Sequence, residues 1–381
     1  MSALIAHELR SLITSDGRLK LSIAEAPVPA PGENEVVVRI DAAPLNPSDI
    51  RTLLGQANLA TLRAGGSPGA PGAEAEVPAG PLAAAAQRLD RALPIGNEGA
   101  GVVVQAGASA QALLGRTVAI APFGGSYATY KIVKAADCLV LPEGTSARDG
   151  SSAFVNPLTA LGMTDTVKRE GHSGLVHTAA ASNLGQMLNR LCLSDGIPLV
   201  NVVRSPAQAE ALRAEGAIHV VDSSAEGFTH ALADAIAETG ATLGFDAIGG
   251  GRMAATILGA MEQVLRRKLP AYSRYGSPVH KQVYIYGGLD PGPRILDGDL
   301  GMAWGVGGWL VSYFLAKLSP EEAQSLRARV AQELKTTFAS RYTAEISLSQ
   351  AVSPEVIRAY AKHETGKKYL VVPNAAVPSS N

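Results

Sequence analysis

Two cysteines in 381 residues, Cys138 and Cys192, are too few for a disulfide framework or a four-cysteine zinc site. That scarcity favours a reducing compartment. An excess of one charge is missing too, since 33 Lys and Arg stand against 34 Asp and Glu. With no basic surplus to hold a polyanion, nucleic acid is not expected as a partner. A long apolar run is also lacking. Leu300 to Ala316 is uncharged, but its 17 residues include four glycines, whereas a spanning helix needs about 20 mostly apolar residues. Residues 1–20 carry six charged or histidine side chains and no apolar centre, so no signal peptide is expected. What is present is apolar material for sizeable cores, 46% of the chain against 18% charged. A soluble, cytoplasmic protein of about two domains with no membrane partner is the expectation.

Residues 1 to about 145 read as β-rich. Glu35–Ile40, Gly101–Gln105, Thr117–Ile120 and Tyr130–Val133 are short β-branched runs bounded by turn residues. From about 150 strands alternate with helices. Strands are predicted at Gly174–His177, Pro198–Val203, Ile218–Val221, Ala241–Phe245 and Gln282–Tyr286, with helices over Leu184–Leu193 and Ala207–Ala214. Such alternation argues for a parallel doubly wound sheet. Ser319-Pro-Glu-Glu322 is a capping box, and Lys368–Val372 reads as a strand returning to the first domain. Gln56–Ala92, with 12 Ala, 5 Gly and 4 Pro in 37 residues, holds neither period. It is read as a mobile insertion with a short helix at Leu82–Leu89, either a surface loop or a substrate lid. Ala271–Lys281 reads as a second insertion.

The strongest chemical signal is Leu175–Gly185, a strand that passes through small residues into a helix. Small side chains let backbone N–H groups approach a pyrophosphate, and a helix N-terminus stabilises its charge. Ser182 and Asn183 occupy usual glycine positions, so a ligand-free turn is the alternative. About 20 residues on, an NAD enzyme places an acid to accept from the ribose hydroxyl. Arg204 and Ser205 stand there instead and suit a 2′-phosphate.

Taken in order, Pro44-Leu-Asn-Pro-Ser-Asp49, Gly96-Asn-Glu-Gly-Ala-Gly101, Gly125-Ser-Tyr-Ala-Thr-Tyr130, Asn156–Ala160, Tyr286-Gly-Gly288 and Gly366-Lys-Lys368 resemble the medium-chain dehydrogenase/reductase superfamily, specifically its zinc-free NADPH:quinone oxidoreductase and enoyl reductase branch. The resemblance implies an α/β fold, a Rossmann doubly wound parallel sheet inserted into a β-rich chaperonin-10-like catalytic domain. The boundaries expected are 1–150 for the catalytic domain, 151–315 for the Rossmann domain and 316–381 for the return segment. Zinc members carry Cys and His where this chain has Asn46 and Asn97, and neutral amides are poor zinc ligands. No metal is expected.

The resemblance also implies site residues. Asn46, Tyr127 and Arg51 are the catalytic candidates. Thr159, Ser182, Asn183, Leu184, Arg204, Ser205, Ser223, Ile248, Gly287, Gly288, Trp309 and Lys368, with Asn46, are those for NADPH. Each carries a plainer alternative: Asn46 as a turn residue, Tyr127 as a pocket wall rather than a proton donor, Trp309 as a core or interface aromatic. His177 reads as a packed strand residue. The implied function is hydride transfer from NADPH to a quinone or other conjugated carbonyl by a homodimer. The rivals are an enoyl thioester reductase, weakened by the lack of Tyr between Arg51 and Leu62, and a non-catalytic NADPH-binding protein.

Overall fold

The structure is a computed structural model that describes residues 4–67, 69–362 and 364–375. The chain forms two compact units, Met1–Val155 with Arg327–Asn381, and Asn156–Leu326.

The first unit begins with a hairpin of β1 (Leu4–Ile13) and β2 (Arg18–Val28), paired in continuous register from Leu4↔Val28 to Ile13↔Leu19. Alternation buries Leu9, Ile13, Leu19 and Leu21 while charged neighbours stay out. β3 (Glu35–Pro44) leads into α1 (Pro47–Leu54), whose first position holds Pro47.

The stretch expected to be a mobile insertion is ordered. It contains β4 (Asn58–Ser67), β5 (Ala70–Glu76) and α2 (Ala79–Ala84), followed by a 3₁₀ turn at Ala86–Arg88. β5 pairs with β2, giving a five-stranded sheet β4-β5-β2-β1-β6, where β6 is Leu93–Pro94. The small residues that hid the strands are what the hairpin requires. Gly72 lies so close to β2 that a Cβ would sit 2.4 Å from the Leu21 carbonyl oxygen. Alternation survives only at Leu62, Ala73 and Ala75, which are buried.

β7 (Gly99–Ala106), β8 (Thr117–Ile120), β9 (Tyr130–Lys134) and β10 (Leu139–Val140) follow, then the single turn α3 (Ala147–Gly150), capped by Ser146. β3 is long enough to pair with β9 through Glu35–Arg39 and with the returning C-terminal strand at Ala43 and Pro44. The core of this unit gathers Leu9, Ile13, Val36, Val38, Ile40, Leu53, Ile120 and Tyr127.

The second unit follows α4 (Val155–Arg169) with β11 (Leu175–His177), α5 (Asn183–Asp195), β12 (Leu199–Val203), α6 (Pro206–Ala214), β13 (His219–Asp222), α7 (Phe228–Thr239) and β14 (Leu243–Asp246). It continues with β15 (Gly249–Gly251), α8 (Met253–Arg266), β16 (Lys281–Ile285), β17 (Asp290–Arg294), β18 (Trp304–Gly308) and α9 (Val311–Leu315). The sheet order is β13-β12-β11-β14-β16-β18, with every neighbouring pair parallel. That is the doubly wound Rossmann order with its switch point between β11 and β14. Val176, Val200, Val202 and Val283 face Leu232, Ile236, Ile257, Leu258 and Met261.

The second insertion is tied down by one buried carboxylate. Glu262 accepts from Lys281 Nζ at 2.7 Å, Arg266 Nε at 2.6 Å and the Ser277 N–H at 2.9 Å. Lys281 is itself fully buried. α10 (Pro320–Glu333) starts at the anticipated capping box, in which Ser319 and Glu322 exchange hydrogen bonds. β19 (Ala344–Ile346), α11 (Leu348–Ala351), α12 (Pro354–Tyr360) and β20 (Tyr369–Val371) then complete the first unit, β20 lying antiparallel to β3. Among the described residues no helix is long and apolar enough to cross a membrane.

Candidate active site

In the first unit a buried polar cluster forms where β3 turns into α1. Asn46 is the N-cap residue, and its backbone N–H donates to Asp49 Oδ2 at 3.0 Å. Asp49 Oδ1 also accepts from the Asn97 N–H at 2.9 Å, so one carboxylate joins the two motifs. Asn97 Nδ2 donates to Ser48 Oγ at 3.0 Å. The side chain of Asn46 points elsewhere: Nδ2 donates to Glu98 Oε1 at 2.9 Å, and Oδ1 is buried without a hydrogen-bond partner. Glu98 is completely buried, and its other oxygen accepts from the Phe154 and Val155 N–H groups, both at 2.9 Å.

Lys368 donates to Ser152 Oγ at 2.8 Å and lies 5.6 Å from the centre of the Tyr342 ring. Burial pushes its ammonium down to about 8, while the charges of Glu98 and Asp49 pull the other way. Burial likewise raises Asp49 to about 7, reinforced by the Glu98 charge and opposed by its backbone hydrogen bonds. Two buried carboxylates and one half-buried ammonium thus lie close together.

Tyr127 is fully buried, with its hydroxyl donating to the Pro44 carbonyl at 2.9 Å. Burial and the Asp49 charge hold the phenol well above its ordinary value. Of its two readings, this geometry favours Tyr127 as a wall that orients Pro44 and the Asn46 turn over the proton donor, because the hydroxyl is committed to a backbone carbonyl. Its ring also explains Gly96, with φ +103, where a Cβ would lie 2.7 Å from Tyr127. Arg51 is exposed on α1.

In the second unit β11 ends in a sharp turn. Ala179 has φ +52, a left-handed conformation rarely adopted by a residue with a Cβ. Ser182 caps α5 by accepting from the Gly185 N–H at 3.1 Å. A Cβ at Gly185 would lie 2.1 Å from the Ala180 carbonyl oxygen, so the helix starts against the strand as closely as a glycine permits. Ser182, Asn183 and Leu184 therefore lie at the helix N-terminus that the sequence pattern assigns to a pyrophosphate, and the cradle fits one. Arg204 is exposed at the end of β12, and Ser205 caps α6. The Ser223 N–H donates to the Val203 carbonyl at 2.8 Å, which places Ser223 beside them at the end of β13.

The residues after β14 are set by Asp246, which sequence reasoning passed over. Its Oδ1 accepts from Thr178 Oγ1 at 2.8 Å and the Ile248 N–H at 2.9 Å, and its Oδ2 from the Gly249 N–H at 3.1 Å. Gly287 packs against this loop, where a Cβ would be 2.4 Å from the Ala247 carbonyl oxygen, while Gly288 is exposed. Thr159 is buried on α4.

Trp309 lies among aromatic side chains of the second unit. It packs edge-on to Phe245, stacks on Phe314 and donates to Thr166 Oγ1 at 3.3 Å. His177 is buried, with Nε2 2.7 Å from the Tyr286 hydroxyl, and burial pushes its imidazole down to about 3. It is a packed neutral strand residue. Glu98, Asp49, Ser152 and Tyr342 were missed as site residues. The first two stood inside recognised motifs, but no spacing in the chain links them to Lys368.

No family model matches the chain. A candidate NADPH:quinone reductase from Mesorhizobium loti superposes with a TM-score of 0.72 at 24% identity, over 98% of this chain and 100% of that one. The chain has the fold of the medium-chain dehydrogenase/reductase superfamily. A mutant form of enoyl thioester reductase from Candida tropicalis gives a TM-score of 0.67 at 18% identity, over 97% and 100% of the two chains. Among curated proteins, a mitochondrial enoyl-[acyl-carrier-protein] reductase of Xenopus tropicalis is 29% identical over 200 residues, 50% of this chain and 49% of that protein. The chain thus spans about half the length, or less, of the curated relatives it matches. Among the described residues, no group of three or more His, Cys, Asp or Glu side chains could hold a metal ion.

Proposed function

We propose that this is an NADPH-dependent, zinc-independent oxidoreductase that reduces quinones or other conjugated carbonyl compounds. The observation that carries the reading is the pairing of a tight turn at the start of α5 with Arg204 at the end of the neighbouring strand. The first suits a pyrophosphate, and the second places a cation where a ribose acceptor would favour NADH. Ser205 and Ser223 would assist Arg204 at the 2′-phosphate, and the loop ordered by Asp246, with Ile248, Gly287 and Gly288, would hold the carboxamide end. NADPH would supply the hydride, as the cofactor carries that chemistry.

Asn46 would orient the reacting group, Lys368 would add positive charge and Arg51 would favour carbonyl or anionic substrates. Asn46 and Asn97 stand in place of zinc ligands, which supports a metal-free reaction. With the Tyr127 hydroxyl sealed, water supplies the proton. The same reading includes a cytoplasmic homodimer.

The test is NADPH consumption against quinones, enones and enoyl thioesters, with and without chelator. Turnover of quinones or enones that survives chelation supports the reading. Loss on chelation, restored by zinc, overturns metal independence. The curated relative favours a second reading, an enoyl thioester reductase. Faster turnover of crotonyl thioesters than of quinones decides for it.

A further inference from the structure

The loop between β8 and β9 breaks two local rules at one residue. Among the described residues, four other than glycine have a left-handed backbone: Gln56, Asp90, Phe123 and Ala179. Ala179 belongs to the turn before α5, and Gln56 and Asp90 are exposed polar residues. Phe123 alone is large and apolar, with φ +52 and 60% of its surface exposed. A left-handed backbone strains any residue with a Cβ, and an exposed ring gains little from the hydrophobic effect. Folding therefore gives no reason for a phenylalanine here. Gly124 and Gly125, the next two residues, also have positive φ, and a glycine at 123 would suit the loop better. An isolated exposed aromatic needs no explanation, but one held in a strained conformation is a local conflict of the kind that marks functional sites.

The backbone fixes where this residue stands. The Phe123 N–H donates to the Asn97 carbonyl at 3.1 Å, and the Gly125 and Ser126 N–H groups donate to Ile95 and Gly96, both at 3.1 Å. Asn97 is in turn bound through its own N–H to Asp49 and through Nδ2 to Ser48. Phe123 is thus tied directly to the residue that joins the two motifs of the polar cluster, and it stays open to solvent.

We infer that Phe123 is a specificity-determining residue of the first unit: its ring is a platform on which a flat, conjugated ring of the substrate stacks, so that aromatic quinones are favoured over acyclic carbonyl compounds. A ring on a fixed backbone suits that task, because a preformed platform loses little freedom when the substrate arrives. The inference rests on the NADPH-reductase reading and names a substrate class within it.

Phe123→Gly and Phe123→Trp test it with phenanthrenequinone, which is flat and polycyclic, and crotonaldehyde, which has no ring. Phe123→Gly should raise KM for phenanthrenequinone about tenfold with kcat within about twofold, because stacking serves substrate and transition state alike. KM for crotonaldehyde should change less than about threefold. Phe123→Trp keeps an aromatic face and should hold KM for phenanthrenequinone within about threefold of wild type. The thermal midpoint of Phe123→Gly should not fall, since relief of the left-handed strain offsets the entropy of an added glycine. A phenylalanine that served packing alone would instead give a lower midpoint and equal losses on both substrates.

An unchanged KM for phenanthrenequinone in Phe123→Gly, equal losses on the two substrates, or a Trp variant as weak as the Gly variant overturns the inference. A wild-type protein that oxidises NADPH with neither substrate refutes the reductase reading instead. Equilibrium dialysis of phenanthrenequinone against wild type and Phe123→Gly then decides the inference alone, and equal Kd values overturn it.

Discussion

At the scale of single residues, the polar side chains here act chiefly by ordering backbone and one another. Tyr127 shows the consequence. Its hydroxyl holds the Pro44 carbonyl in a fully buried place, so Tyr127→Phe should cost about 1 kcal/mol of stability, the worth of one hydrogen bond. Turnover should stay within a few-fold of wild type. A fall of about a hundredfold or more in kcat, the scale of a lost general acid, would restore the proton-donor role.

Arg204 predicts differently because it is exposed. A hydrogen bond to a charged group is worth about 1.5–3 kcal/mol, so Arg204→Ala should weaken NADPH binding roughly 10- to 100-fold and leave NADH little changed. Arg204→Asp should shift preference further toward NADH by repelling the phosphate. The ratio of kcat/KM for NADPH over NADH in the three proteins checks both. A wild-type preference for NADH, or a ratio indifferent to Arg204→Ala, refutes the assignment.

At the scale of elements, the hairpin β4–β5 changes what the 56–92 stretch is for. A free surface loop could be shortened cheaply, since loop-closure entropy grows slowly with length. This segment instead covers the edge of β2 and buries Leu62, and the Leu62 carbonyl accepts from Arg358 on α12 at 2.6 Å. Leu62→Ala should therefore cost about 2–4 kcal/mol, the range for truncating a buried leucine. Deleting 58–76 should expose a strand edge and promote aggregation. Denaturant titration and light scattering measure the two effects. An unchanged midpoint in Leu62→Ala would return the stretch to a loop. α8 offers a parallel case. Glu262→Gln leaves Lys281 buried without its countercharge and should destabilise the protein by about 3–5 kcal/mol. A loss below about 1 kcal/mol in denaturant titration would show the pair to be dispensable.

At the scale of the whole molecule, the buried cluster gives stability a pH signature. Asp49 binds its proton more tightly folded than unfolded, with its carboxyl raised from 3.8 to about 7. Between those values the folded state carries the extra proton, so this contribution to stability is present at low pH and lost as pH rises toward 7. Glu98 is raised as well and acts in the same direction. Asp49→Asn should flatten the decline in unfolding free energy across that window, whatever its effect on absolute stability. Identical slopes in wild type and variant would show that Asp49 stays ionised in the folded protein.

The sequence alone determined the classes of element and their order. Val-rich strands alternating with amphipathic helices dictate a parallel doubly wound sheet, because periodicity and β-branching are local and the crossover rule does the rest. It also determined the start of α10, whose capping box is written in four consecutive residues, and the return of Lys368–Val372 to the first unit was legible through an ordered set of motifs. Only the tertiary structure decided that Gln56–Ala92 is a hairpin, since Gly72 and the small residues near it earn their place through contact with β2 rather than through any pattern of their own. Only it decided that Tyr127 is buried, and that Asn46, Asp49, Glu98 and Lys368 form one cluster. These residues lie up to 322 positions apart. Burial sets both their pairing and their proton affinities, and burial is a property of the fold rather than of any window of the chain.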